Sequence, residues 1–133
     1  MQEKKLSEKC GVVGIYHPNE QVASSTFFSL FSLQHRGQES AGIATSDGSL
    51  IYEHKALGLI NQVFDEDKIS KLKGNISIGH TRYSTTGSNN LNNSQPIKVS
   101  GISGDLFIGH NGNLINTEEI IQILDSWGIS TFN

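Results

Sequence analysis

The chain has 133 residues, 35% of them hydrophobic and 17% charged, with 14 glycines, a composition that fits one globular domain or part of one. A net charge of −3 and a pI near 5.9 argue against nucleic acid as the main partner. No stretch approaches the roughly 18 consecutive apolar residues that cross a membrane.

Residues 1–9, Met-Gln-Glu-Lys-Lys-Leu-Ser-Glu-Lys, lack the apolar segment of a secretory signal. They read either as a polar tail or as a leader ahead of Cys10, the only cysteine. A lone thiol forms no internal disulfide and has too few partners to hold a metal through sulfur. A single cysteine without an export signal favours the cytoplasm. If the Lys9–Cys10 bond were cut, Cys10 would carry both a thiol and a free α-amine titrating near ~7.7–8.0. Such an amine suits a general base at neutral pH. The plainer reading of Cys10 is a small buried hydrophobe.

Gly11 to Tyr16 reads as a buried strand, because Val12, Val13 and Ile15 cluster without polar interruption. Pro18-Asn19 makes a turn, and Val22 to Leu33 follows a helical period with Phe27, Leu30 and Phe31 on one face. Gly37 is the expected stop. Ala41 to Thr45, Leu50 to His54 and Asn75 to His80 are expected strands, the first two joined by an Asp47-Gly48 hairpin turn. Lys68 to Lys73 is a candidate short helix, and Ser84 to Ser94 is a loop rich in Ser, Thr, Asn and Gly. Pro96 to Ser100 and Asp105 to His110 are candidate strands. A final helix is capped by Asn116 with Glu119 three residues on, carries the stripe Ile120, Ile123, Leu124 and Trp127, and ends at Gly128. Ile129 to Asn133 begins a strand-like pattern and stops, from which the chain is expected to continue beyond Asn133.

Four polar clusters sit where elements end: Cys10, Arg36-Gly37, His80 to Gly87, and His110-Asn111-Gly112-Asn113. Each has an ordinary reading. Arg36 suits a helix-end cation, Asn111-Gly112 a type I′ turn, Arg82 a surface salt bridge, and His80 or His110 a structural histidine. Taken together they supply the parts that acyl transfer from an amide requires. Cys10 is the nucleophile and its freed amine the base. The Asn111 side-chain amide and the Gly112 N–H face a developing oxyanion, where one donor is worth ~2.7–4 kcal/mol of barrier. Arg82 can grip a carboxylate bidentately. A small amide with a carboxylate at its far end is glutamine.

The same residues carry a family likeness. Cys10-Gly-Val-Val-Gly-Ile15, Leu33-Gln-His-Arg-Gly-Gln-Glu-Ser-Ala-Gly-Ile43, Gly79-His-Thr-Arg-Tyr-Ser-Thr-Thr-Gly87 and His110-Asn-Gly-Asn-Leu114 resemble the class-II glutamine amidotransferases, which are N-terminal-nucleophile hydrolases. Within them the likeness is greatest to the glutaminase domain of the amidophosphoribosyltransferases. Glucosamine-6-phosphate synthases are similar too, but usually read Tyr-Arg-Gly-Tyr-Asp-Ser-Ala-Gly where this chain has His35 to Gly42, and usually begin directly at the cysteine. They, a glutamate synthase, or a non-catalytic glutamine-binding module are the alternatives.

The resemblance implies an α+β fold, a four-layer αββα sandwich of antiparallel sheets. Residues 1–9 are then a propeptide or leader, and residues 10–133 the N-terminal part of a type-2 glutamine amidotransferase domain. Cys10 is implied as the nucleophile, Asn111 and Gly112 as the oxyanion hole, Arg82 as the carboxylate ligand with Thr85 beside it, and Arg36-Gly37 as the segment closing the site. The family uses a further aspartate for the substrate ammonium, a few residues beyond the Ser130-Thr131-Phe132 segment and so outside this sequence. The isolated chain is therefore expected to be weakly active or inactive. The resemblance places phosphoribosyl pyrophosphate, Mg²⁺ and, in some members, an iron–sulfur cluster in the remainder of the enzyme, with no cofactor in this segment. It also implies a homo-oligomer at full length.

Overall fold

The computed structural model describes residues 10–83, 90–112 and 114–130. Residues 1–9, expected as a leader, Thr85 within the Ser84–Ser94 loop, Asn113 and residues 131–133 lie outside them. The elements in chain order are β1 Gly11–Tyr16, α1 Ala23–Ser32, β2 Ser40–Ser46, β3 Ile51–Leu57, α2 Ile60–Val63, α3 Glu66–Lys71, β4 Ile76–Arg82, β5 Ile97–Gly101, β6 Gly104–Ile108 and α4 Thr117–Ser126. The fold is α+β with antiparallel sheets, as expected.

Four strands form one sheet in the order β1-β4-β2-β3, and β5-β6 form a separate hairpin. Alternation of side chains divides the four-stranded sheet into two faces. On one face Ala41 and Ile43 pack with Leu30 of α1, Ile60 and Val63 of α2, Phe64 and Leu72 in the main core. Leu30, Ile43 and Ile60 are wholly removed from solvent, each stabilising the fold by about 1.5–3 kcal/mol. α1 lies close because β4 carries Gly79, where a Cβ would sit 2.8 Å from both Leu30 Cδ1 and Thr26 Cγ2. Thr26 Oγ1 bonds Ser77 Oγ at 2.5 Å in the same contact.

The opposite face carries a row of paired residues running across the sheet: Val12, His80, Gly42 and Lys55. The segment leading into the hairpin lies over this row. Lys55 Nζ donates to Pro96 O at 2.9 Å, and a Cβ on Gly42 would fall 2.2 Å from Gln95 O. The layers therefore run from helices, through the four-stranded sheet, to the start of a second sheet.

Several local expectations change. The buried positions of α1 are Ala23, Thr26 and Leu30, whereas Phe31 is half exposed and instead stacks on Phe27. The helix end is not at Gly37: a short 3₁₀ turn over Gln34–Arg36 follows α1, and Gly37 is extended. In α4 Asn116 stands at the N-cap position but its side chain does not cap; its amide donates to Glu119 Oε2 at 3.3 Å. The stripe along α4 is partly open, with Ile123 and Trp127 exposed. Its C-terminus behaves as read: Gly128 has φ 73°, while Gly128 N and Ile129 N donate to Asp125 O and Leu124 O. That is the paired closure of a left-handed glycine stop. No helix among the described residues is long and apolar enough to cross a membrane.

Candidate active site

Cys10 lies immediately before β1, whose first residue Gly11 pairs with Thr81 of β4. Antiparallel pairing thus brings the residues after β4 beside the cysteine. The Tyr83 N–H donates to Cys10 Sγ at 3.2 Å, and the thiol faces Tyr83 O at 3.4 Å. The cysteine is partly buried.

Two further segments converge on its main chain. Asn111 Nδ2 donates to Cys10 O at 2.8 Å, and Arg36 Nε donates to the same carbonyl at 3.4 Å. Asn111 departs from its ordinary reading, whereas Arg36 does stand at a helix end, in the short 3₁₀ turn Gln34–Arg36. Asn111 and Gly112 both lack positive φ, so they do not form the type I′ turn. Arg36 is exposed, yet it points at the cysteine from the turn that follows α1. Gly37 is buried because the chain presses on β4: a Cβ there would sit 2.6 Å from both Thr81 C and Thr81 O.

Arg82 ends β4, next to the Tyr83 amide. Its Nη1 donates to Glu39 Oε1 at 2.6 Å, with both side chains mostly shielded from solvent. The pair is partly buried rather than the surface salt bridge of the ordinary reading. Glu39 Oε2 is buried without a partner among the described residues. Arg82 therefore uses one edge of its guanidinium on Glu39 and retains further N–H donors.

His80 is a structural histidine. It is fully buried on the hairpin side of the sheet, and Nε2 donates to His110 O at 3.3 Å. Burial holds its pKa below the ordinary 6.5, opposed chiefly by its bond to the His110 carbonyl. Of the seven candidate residues, Cys10, Arg36 and Asn111 are joined by direct hydrogen bonds. Gly37 and Gly112 adjoin them along the chain, Arg82 precedes Tyr83, whose N–H donates to Cys10 Sγ, and Thr85 lies outside the described residues.

Sequence reading missed three participants. Glu39 stood inside a quoted motif without a role, as did Tyr83, whose contribution is made by the main chain and leaves no side-chain signal. Gln95 sat unremarked between a polar loop and Pro96.

No protein-family model matches the chain. Curated relatives do. The amidophosphoribosyltransferase of Synechocystis is 50% identical over 128 residues, covering 96% of this chain and 26% of the relative. That of Mycobacterium leprae is 51% identical over 115 residues, covering 85% and 20%. The chain is homologous to the N-terminal region of the amidophosphoribosyltransferases. It spans about a quarter of the length of the curated relatives it matches. Among solved structures, the glutamine phosphoribosylpyrophosphate amidotransferase of B. subtilis, complexed with ADP and GMP, superposes with a TM-score of 0.80 at 42% identity. It is matched over 92% of this chain and 26% of its own. A structure described as the allosteric regulatory enzyme of purine biosynthesis superposes at 0.81 with 44% identity and the same coverage. These matches place the fold with the N-terminal-nucleophile hydrolases.

Proposed function

We propose that this chain is the first part of the glutaminase unit of an amidophosphoribosyltransferase, with residues 1–9 a leader removed before catalysis. In the whole enzyme it hydrolyses glutamine and supplies ammonia to make 5-phosphoribosylamine from phosphoribosyl pyrophosphate, in de novo purine synthesis in the cytoplasm. The convergence of the Tyr83, Asn111 and Arg36 donors on Cys10 carries the reading.

Cys10 Sγ attacks the side-chain carbonyl carbon of glutamine while its α-amine takes the thiol proton. The Asn111 amide and the Gly112 N–H receive the negative oxygen of the tetrahedral intermediate, a contribution of about 2.7–4 kcal/mol for one donor. Collapse breaks the C–N bond, the ammonium returns the proton, and ammonia leaves a glutamyl thioester. Water, deprotonated by the same amine, then releases glutamate. Arg82, with Thr85 beside it, holds the substrate α-carboxylate, and Arg36-Gly37 covers the nucleophile. Phosphoribosyl pyrophosphate, its Mg²⁺ and any iron–sulfur cluster belong to other parts of the enzyme, which assembles as a homo-oligomer. The single cysteine of this segment cannot supply the several thiolates that an iron–sulfur cluster takes.

Intact mass of the active full-length protein tests the reading. Loss of residues 1–9, with abolition of glutaminase turnover by Cys10→Ala, is expected. Active enzyme that retains its first nine residues would refute the terminal-amine mechanism.

A further inference from the structure

His110 immediately precedes the two residues that the proposed mechanism assigns to the oxyanion, and its main chain is gripped at both ends by one side chain. Gln95 Oε1 accepts from His110 N at 2.6 Å, and Gln95 Nε2 donates to His110 O at 3.2 Å. His80 donates to the same carbonyl from beneath at 3.3 Å. A side-chain amide that satisfies both polar groups of one residue fixes its position and the orientation of its peptide planes together.

Gln95 is itself seated. Its carbonyl lies over Gly42, where no side chain would fit, and the next carbonyl, Pro96 O, takes the Lys55 ammonium. The row Val12, His80, Gly42 and Lys55 across the sheet thus supports Gln95 and His110 at once. Beyond His110, Asn111 and Gly112 are exposed, and Asn111 is tied through its amide to Cys10 O at 2.8 Å. Their main chain continues directly from His110, so the place of that residue sets where both donors start.

We propose that Gln95 is a positioning residue for the His110-Asn111-Gly112 segment, setting where the Asn111 amide and Gly112 N–H point without touching substrate. The inference rests on the oxyanion role of those two donors. A positioning residue that acts on the oxyanion affects the transition state and leaves ground-state binding alone. Displacing such donors by about 1 Å costs on the order of 10²-fold.

The test uses full-length enzyme carrying Gln95→Ala or Gln95→Glu, with Asn111→Ala as the benchmark. Q95A is expected to lower kcat for glutamine hydrolysis about 10–10²-fold with KM little changed. Q95E keeps the acceptor for His110 N but loses the donor to His110 O, and is expected to fall between Q95A and the parent. Glutamate γ-semialdehyde, the aldehyde counterpart of glutamine, adds Cys10 Sγ to its carbonyl carbon and places a negative oxygen in the same hole. Its inhibition constant is expected to weaken in parallel with kcat, while iodoacetamide, which needs no oxyanion, alkylates Cys10 at the parent rate. Parent-like kcat and aldehyde affinity in Q95A overturn the proposal. So does a matching loss of alkylation rate, which marks general disorder of the site. If Asn111→Ala leaves aldehyde affinity intact, the oxyanion assignment fails and the Gln95 inference falls with it.

Discussion

Gly42→Ala isolates the contact between the two layers. Its Cβ would meet Gln95 O at 2.2 Å and Lys55 Cβ at 2.8 Å, against an ordinary contact of 3.4 Å or more. Backbone oxygen cannot rotate away, so the gap must open by about 1.2 Å. β2 is hydrogen-bonded on both sides, to β3 and β4, and cannot yield. The Gln95 segment must lift instead. A lift of that size carries the 2.6 Å bond from His110 N to Gln95 Oε1 beyond hydrogen-bonding distance. Overpacking of this kind destabilises by about 1–3 kcal/mol, and misplaced donors lower kcat about 10²-fold. The assay is steady-state glutaminase activity alongside urea denaturation of the full-length protein. A variant with parent kcat and parent stability would refute the layer contact. A variant that loses stability but keeps kcat would show that the Gln95 segment does not aim the donors.

Arg82→Lys keeps the charge and loses the planar fork, so KM for glutamine is expected to rise about 10–100-fold, the equivalent of a charged hydrogen bond, with kcat largely preserved. Steady-state kinetics check it, and an unchanged KM would remove Arg82 from substrate binding. His80 gives a pH dependence of stability. Burial holds its folded pKa below 6.5, so the unfolded chain takes up a proton that the native fold resists. Its contribution is complete above about pH 6.5 and falls as pH drops below that value, by at most about 1.4 kcal/mol per pH unit. Urea denaturation on either side of that pH should show the slope in the parent and a shallower one in His80→Gln.

Local signals were legible where one short segment carried them. The uninterrupted Val12, Val13 and Ile15 marked β1 with its observed bounds, Gly11–Tyr16, and Gly128 marked the end of α4. α2 escaped because four residues cannot display a helical period. Phe31 was assigned to the buried face because hydrophobicity outranked Thr26, yet the hydroxyl satisfied by Val22 O and Ser77 Oγ takes the buried place. The four clusters of the site were visible as chemistry. Their mutual placement was not, because it is set by the pairing of Gly11 with Thr81 across 70 positions. Glu39 and Gln95 are the strongest case: each acts on a residue far along the chain, and nothing beside either one announces it.

The two donors on Cys10 O bear on a problem particular to a nucleophile at a chain end. Termini ordinarily fray, since the last residues have few partners and much freedom to lose. With residues 1–9 removed, as proposed, Cys10 would become such a terminus. Yet its carbonyl is held by Asn111 and Arg36, its sulfur by the Tyr83 amide, and the next residue by the sheet. None of these bonds involves the departing leader. On the proposed cleavage these bonds would hold Cys10 in place as its amine is freed, so that the entropy of fixing a mobile end is met when the protein folds rather than at each turnover.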